Sequence, residues 1–231
     1  MFDLDGTLAD NMHLHARAFQ IFVERHGLPP LTGAMRRRID GKRNAEIMPI
    51  LFDRPLTADD VAALAREKEA LYRDLSQGAL QPIRGLTTLL ARLAAHGIPA
   101  GVATSAPREN VSHTLAELGL AGRFAAVALS DEVARGKPYP DVYLRAADDL
   151  RVPPGDCLAF EDAPVGVAAA VAAGMRCLAL SSTFPAETFR VADAPPAGVC
   201  ADFEDYLAGE GQWLAAPARP GLQSGAASDY S

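Results

Sequence analysis

Short apolar runs that stop abruptly at polar residues, alternating with stretches of helical periodicity, constrain this chain more than any other feature. Residues 98–103 end at Thr104 and Ser105, and residues 124–129 end at Ser130 and Asp131. Residues 157–160 end at Glu161 and Asp162, and Arg176–Leu180 ends at Ser181 and Ser182. Runs this short and this continuously apolar read as strands buried on both faces. Helical patterns separate them over residues 86–96, 108–118, 141–150 and 165–173, and glycines at 97, 119 and 174 supply stop signals. Strands joined through helices lie parallel, so the expected class is α/β, with a parallel sheet covered by helices on both faces.

Residues 13–80 break this rhythm. They read as helices over 13–26, 33–38, 45–51 and 57–75 with no clear strand, and Thr57 followed by Asp59 and Asp60 is a candidate N-terminal cap. A helical segment therefore interrupts the α/β unit just after its first strand. From about Gly209 the chain is rich in Gly, Ala, Ser and Pro, and residues 209–231 are expected to form a tail with little to bury.

The formal net charge of −7 argues against a nucleic-acid surface, which needs a basic face. Within this acidic chain Arg36, Arg37 and Arg38, with Lys42 and Arg43, form a local basic cluster. It reads either as a solvated helix face or as a docking place for an anion. The three cysteines, Cys157, Cys177 and Cys200, fit neither a zinc spacing nor a disulfide framework and are expected as buried free thiols. No apolar run is long enough for a membrane span and no leader pattern is visible, so the expectation is a cytoplasmic protein without membrane partners.

In open parallel sheets ligands bind beyond the carboxyl ends of the strands, so the polar residues that end the apolar runs are the place to look for chemistry. Four stretches qualify. Asp3-Leu4-Asp5-Gly6-Thr7-Leu8 pairs two carboxylates before a glycine that lets the chain turn. A calcium loop would need Gly and Glu where Leu8 and Leu14 stand, which removes that rival and leaves a plain Asp–Gly turn as the other reading. Thr104-Ser105-Ala106 offers a hydroxyl and backbone N–H groups ahead of a helix, suited to an anion or to simple capping. Lys137 is held between Gly136 and Pro138, either as a fixed cation or as a surface lysine in a turn. Glu161 and Asp162 are adjacent carboxylates after a buried strand, costly unless a cation or donors meet them, though they also suit the start of a helix. Together the inventory matches phosphoryl transfer through a carboxylate nucleophile: acids for attack and proton transfer, a cation and donors for the phosphate oxygens, and carboxylates for a hard metal ion.

In this order, the segments DLDGTLAD, ATS, GKPYPD and FEDAPVGVAAAVAAGM resemble the four motifs of the haloacid dehalogenase superfamily, on its phosphatase side, across residues 1–190. The resemblance implies a Rossmann-like core over 1–12 and 81–208 with an inserted α-helical cap over 13–80, closest to β-phosphoglucomutase-like sugar-phosphate enzymes. It implies Asp3 as nucleophile and metal ligand, and Asp5 as general acid/base with its backbone carbonyl on the metal. Thr104, Ser105 and Ala106 would hold the phosphate and Lys137 would neutralise it. Asp162 would complete a Mg²⁺ site, with Glu161 beside it or acting through water. An aspartate at position 5 argues against dehalogenation, which does not need that acid.

The cap would choose the substrate. Gly41, Lys42 and Arg43 resemble its substrate loop, His15 stands where the mutases also carry a histidine, and Lys68 falls near a cap lysine. The mutases favour arginine where this chain has Asn44, with Arg43 one place early. The resemblance therefore implies a phosphatase of small phosphorylated metabolites, with a phosphomutase as the alternative and a non-enzymatic binding protein as a third reading. Hinges are expected near residues 10–13 and 78–82, and a monomer is expected. Family members carry four to six apolar residues ahead of the nucleophile, whereas here Met1 and Phe2 alone precede Asp3; the expectation is a native start further upstream.

Overall fold

The computed structural model describes residues 1–190 and 194–209; of the tail expected over 209–231, Gly209 caps the last described helix and residues 210–231 lie outside the described residues. Four helices come first: α1 (Met12–Arg25), α2 (Gly33–Ile39), α3 (Asn44–Phe52) and α4 (Ala58–Ser76). There follow α5 (Leu86–Ala95), β1 (Gly101–Thr104), α6 (Arg108–Glu117), β2 (Ala126–Leu129), α7 (Asp141–Leu150), β3 (Leu158–Glu161) and α8 (Pro164–Ala172). The chain continues through β4 (Arg176–Leu180), α9 (Ala186–Arg190), β5 (Gly198–Cys200) and α10 (Phe203–Ala208).

Among the described residues the strands pair in parallel, β1 with β2, β3 with β4 and β4 with β5. The first residues join these two groups. Phe2 pairs with Val102 on one side and Phe160 on the other. Its amide donates to the Gly101 carbonyl at 2.9 Å, its carbonyl accepts from Ala103 N at 2.9 Å, and Asp3 N donates to the Phe160 carbonyl at 3.0 Å. The spatial order is thus β2, β1, the N-terminal segment, β3, β4, β5, with Asp3 leaving the middle of the sheet.

Side chains alternate across the strands, and the two faces differ in size. Phe2, Val102, Phe160 and Leu178 face α5, α6 and α10, where Phe2 stacks on Phe160 at 5.2 Å and meets the Phe203 ring edge-on at 5.9 Å. Ala103, Ala159, Cys177 and Ala179 face the other way, and these small side chains pack against α7 and α8 through Tyr143, Ala146, Val167 and Ala170. Each fully buried phenylalanine on the first face contributes about 1.5–3 kcal/mol relative to exposure.

Helices α1–α4 enclose a core of their own that includes Phe19, Phe22, Ile39, Met48, Leu51 and Tyr72. Thr57 caps α4, accepting from Asp60 N, as its position suggests. The chain enters and leaves this insert side by side: Ala9 pairs antiparallel with Pro82, Asp10 N donates to the Gln81 carbonyl at 2.9 Å, and Ile83 N donates to the Leu8 carbonyl at 3.0 Å. The insert also lies along α6. Arg73 Nη1 donates to Asn110 Oδ1 at 2.8 Å, Asn110 Nδ2 donates to Glu69 Oε2 at 2.6 Å, and Ser76 Oγ lies 2.8 Å from His113 Nε2.

Some expectations shift. The first internal strand begins at Gly101 rather than at 98, because Ile98 is exposed and Pro99 has no N–H to give a ladder. The second begins at Ala126 rather than at 124. Strand β5 and helices α9 and α10 are absent from the sequence-based reading. Among the described residues no helix is long and apolar enough to cross a membrane, and the three cysteines are free and buried.

Candidate active site

Three neighbouring parallel segments end at Asp3, Thr104 and Glu161, so their polar groups gather along one edge of the sheet. Beyond Asp3 the chain closes a tight loop: Gly6 N donates to the Ala9 carbonyl at 2.9 Å and Leu8 N to the Leu4 carbonyl at 2.8 Å. Gly6 has φ +79°, and a Cβ there would collide with the Asp162 carboxylate. The loop sends the two aspartates in different directions.

Asp3 turns toward the core. Lys137 Nζ donates to Asp3 Oδ1 at 2.6 Å and to Glu161 Oε1 at 2.5 Å. Glu161 Oε1 also accepts from the Tyr143 hydroxyl at 2.8 Å, and its Oε2 from the amides of Asp162 and Ala163 at 3.2 and 3.3 Å. Gly166 leaves room for it, since a Cβ there would run into the Glu161 carboxylate. Burial would lower the Lys137 ammonium, but Asp3 and Glu161 outweigh burial and hold it well above its usual range. The lysine is therefore a permanent cation. Burial pushes the Asp3 carboxyl up to about 7 against the pull of Lys137. Asp162 is raised well above the carboxylate range by burial and by the charges of Asp3 and Glu161.

Asp3, Glu161 and Asp162, all buried, each offer an oxygen within 4.8 Å of the others. Three carboxylates face one ammonium, so the cluster must hold protons or accept a cation. Oxygen donors alone suit a hard divalent ion such as Mg²⁺. Asp3 and Asp162 have the free acceptor capacity, whereas Glu161 already accepts four hydrogen bonds and anchors Lys137.

Asp5 turns toward the insert. Asn11 Nδ2 donates to Asp5 Oδ1 at 2.7 Å, and His15 Nε2 lies 3.4 Å from Asp5 Oδ2. Lys68 Nζ donates to His15 Nδ1 at 3.1 Å and to Glu69 Oε1 at 3.0 Å. An ammonium can only donate, so His15 Nδ1 accepts and the ring proton sits on Nε2, facing Asp5. The imidazole stacks on Tyr72 with centroids 3.8 Å apart. Burial alone would raise the Asp5 carboxyl, but His15, Asn11 and Lys68 prevail and lower it below its ordinary value. The two aspartates thus differ in protonation preference as well as direction: without a bound cation Asp3 favours its protonated form up to about 7, and Asp5 favours the carboxylate. The Asp5 carboxylate lies outside the carboxylate cluster; its expected metal contact was through the backbone carbonyl.

Thr104, Ser105 and Ala106 stand between β1 and α6. Thr104 Oγ1 accepts from Ala106 N at 3.0 Å, and Ser105 Oγ donates to the Gly41 carbonyl of the insert at 2.9 Å. Gly41 (φ +81°) lies against Val165 and Ala163 of the core. One pocket is lined by Asp3, Asp5, His15, Gly41, Lys42, Lys68, Thr104, Ser105, Ala106, Lys137, Glu161 and Asp162. Arg43 is the exception among the expected site residues. Its Nη1 donates to the Ser130 carbonyl at 3.3 Å and its Nε lies 3.4 Å from Glu46, so it ties the insert to the core instead of lining the pocket. The basic cluster divides: Arg37 and Arg38 are exposed, while Arg36 and Lys42 face the pocket. Asn11, Glu69, Asn110, Tyr143 and Thr183 also serve the site; Asn11 acts locally on Asp5 and Gly6, while the other four depend on contacts between elements far apart in the chain that leave no signal in the sequence.

The family model described as haloacid dehalogenase-like hydrolase matches residues 1–180. Among curated proteins, validoxylamine A 7'-phosphate phosphatase of Streptomyces hygroscopicus subsp. limoneus is 34% identical over 201 residues, covering 84% of this chain and 90% of that protein. Fructose-1-phosphate phosphatase YqaB of Escherichia coli is 33% identical, covering 76% of this chain and 92% of that protein. Among solved structures, CbbY from Rhodobacter sphaeroides in complex with phosphate superposes with a TM-score of 0.76 at 27% identity, covering 89% of this chain and 94% of that one.

Proposed function

This chain belongs to the haloacid dehalogenase-like hydrolases, and on that premise we propose that it is a Mg²⁺-dependent phosphatase of small phosphorylated sugars working through an aspartyl-phosphate on Asp3. The observation that carries the proposal is the divergence of the two aspartates: both line one pocket, Asp3 bonded to Lys137, and Asp5 bonded to Asn11 with His15 Nε2 3.4 Å away. Hydrolysis of phosphate monoesters agrees with the named activities of the curated relatives.

In this reading an Asp3 oxygen attacks phosphorus, and Asp5, a carboxylate before substrate arrives, takes the proton of the incoming phosphate monoester and passes it to the leaving sugar oxygen. Asp5 then takes a proton from water, which attacks the phospho-aspartate and releases phosphate. Lys137 and the donors around Thr104, Ser105 and Ala106 meet the charge on the phosphate oxygens. His15, held by Lys68 and stacked on Tyr72, keeps Asp5 aimed at the leaving oxygen. Mg²⁺, for which Asp3, Asp162 and the Asp5 carbonyl are the ligands of choice, would offset negative charge between carboxylates and phosphate.

Arg43 supports hydrolysis over mutase chemistry, because the loop arginine is engaged with Ser130 and Glu46 and takes no part in the pocket wall. The chain is proposed to act as a cytoplasmic monomer on small molecules, without nucleic-acid or membrane partners; its net charge and its three free thiols suit that setting. The test is phosphate release from a panel of sugar monophosphates with Mg²⁺ and with EDTA. Metal-dependent release from one or a few members is expected. Conversion between sugar phosphates without free phosphate would replace the phosphatase reading with the mutase.

A further inference from the structure

The wall of the pocket supplied by α2 carries an ion pair that the chemistry above does not use. Arg36 Nη2 donates to Asp40 Oδ1 at 2.8 Å, and both residues line the pocket with Asp5, His15 and Lys68. The guanidinium carbon lies 5.3 Å from the centroid of the Phe19 ring, within cation–π range. The Arg36 side chain is 19% exposed, and its Nη1 is buried with no hydrogen-bond partner.

A buried N–H without an acceptor is rare in a folded protein and asks for an explanation. A purely structural ion pair does not need one nitrogen left bare, nor a place on the wall of the pocket. We propose that Arg36 and Asp40 form a hydroxyl-reading subsite for the non-phosphorylated end of the substrate, with Arg36 Nη1 donating and Asp40 accepting. This inference rests on the phosphoester reading of the same pocket.

The chemistry selects a neutral polyhydroxylated group over a second anion. Arg36 is neutralised by Asp40, and an anionic oxygen brought to Nη1 would lie near the Asp40 carboxylate and be repelled by it. A sugar or polyol hydroxyl both accepts and donates, so it satisfies an arginine nitrogen and a carboxylate oxygen side by side. Polar sites of this kind discriminate strongly, because a substrate lacking the hydroxyl leaves the protein groups unpaired.

The experiment measures kcat and KM for wild type, Arg36→Met and Arg36→Lys. The substrates are the best sugar monophosphate of the panel, its bisphosphate counterpart, and acetyl phosphate, which has no hydroxyl to read. Methionine keeps the apolar stem over Phe19 and removes the fork; lysine restores the charge and guards against a variant that fails to fold, but it cannot offer the paired nitrogens. For both variants the ratio of kcat/KM on the sugar monophosphate to that on acetyl phosphate is expected to fall roughly tenfold, through KM, as for a lost hydrogen bond to a charged donor. An unchanged ratio, or a ratio restored by lysine, overturns the inference. A larger loss on the bisphosphate than on the monophosphate overturns it in favour of a second anion site. Wild type that releases phosphate from none of the three, acetyl phosphate included, overturns the phosphoester reading itself and this subsite with it.

Discussion

Replacing Glu69 by alanine tests how the insert is fastened over the pocket. Glu69 is 5% exposed and sits where three segments meet. Its Oε1 accepts from Lys68 Nζ at 3.0 Å and from Asn44 Nδ2 at 2.8 Å, and its Oε2 accepts from Asn110 Nδ2 of the core at 2.6 Å. Removing the carboxylate leaves the buried Lys68 ammonium with His15 and the face of the Phe19 ring but no carboxylate bonded to it, and strips two amides of their acceptor. Breaking a buried charge pair from one side costs about 3–5 kcal/mol. In a chain of this size each kcal/mol shifts Tm by about 2–4 °C, so the expected fall at pH 7 is roughly 6–20 °C by scanning calorimetry. Burial would raise the Glu69 carboxyl, yet Lys68, His15 and Asn44 hold it below its ordinary 4.5. A depressed folded value means the stabilisation is complete above 4.5 and is lost as pH falls through the lower folded value. The gap between wild type and variant should therefore be constant from about pH 5.5 upward and shrink in stronger acid. Glu69→Gln, which keeps one acceptor, should fall between the two. A Glu69→Ala protein melting within about 1 °C of wild type at pH 7 would refute the reasoning, since these contacts would then contribute nothing net.

Three further outcomes are expected. His15→Ala removes the group that aims Asp5, and kcat should fall roughly tenfold to a hundredfold with little change in KM, part of the 10²–10⁴ typical of acid–base catalysis; a kcat within twofold of wild type would mean that Asn11 suffices. The raised Asp3 and Asp162 carboxyls make the metal-free protein lose stability as pH climbs from the ordinary 3.8 through about 7, because the folded state binds more protons than the unfolded one. Added Mg²⁺ relieves that penalty, so its Tm increment should grow between about pH 5 and pH 8, and an increment independent of pH would contradict the charge account. Gly6→Ala combines a φ of +79° with a collision at Asp162 and should lower both Tm and the affinity for Mg²⁺; unchanged metal affinity would show that Asp162 moves aside freely.

Much of the core was legible because its signals are local. A continuous apolar stretch after Gly174 marked β4 to the residue, helical periodicity after Pro140 marked α7 to the residue, and the polar groups that end three of the strand segments come together in one pocket. Three-residue β5 and the short helices α9 and α10 carry too little periodicity to be read. The insert was harder. Which arginine of the cluster enters the pocket depends on how α2 is rotated, since successive residues on a helix point about 100° apart. Arg36 lands on the inner side beside Phe19, and Arg37 and Arg38 face solvent. Arg43 was misread for a related reason. It stands in the right loop, but the loop presses Gly41 against Ala163 and Val165 and aims Arg43 at Ser130. The contacts of Glu69 with Asn110 and of Tyr143 with Glu161 join residues brought together by folding alone, and no spacing announces them.

The most direct test of the central claim is to trap the phosphoryl group. Wild type mixed with Mg²⁺ and its best sugar phosphate is quenched during turnover, reduced with borohydride, and digested for mass spectrometry. A phospho-aspartate is reduced to homoserine, so the account predicts homoserine at position 3, dependent on substrate and absent from Asp3→Asn. Phosphate release at full rate with an unmodified Asp3, or with the label on Asp5, would contradict it.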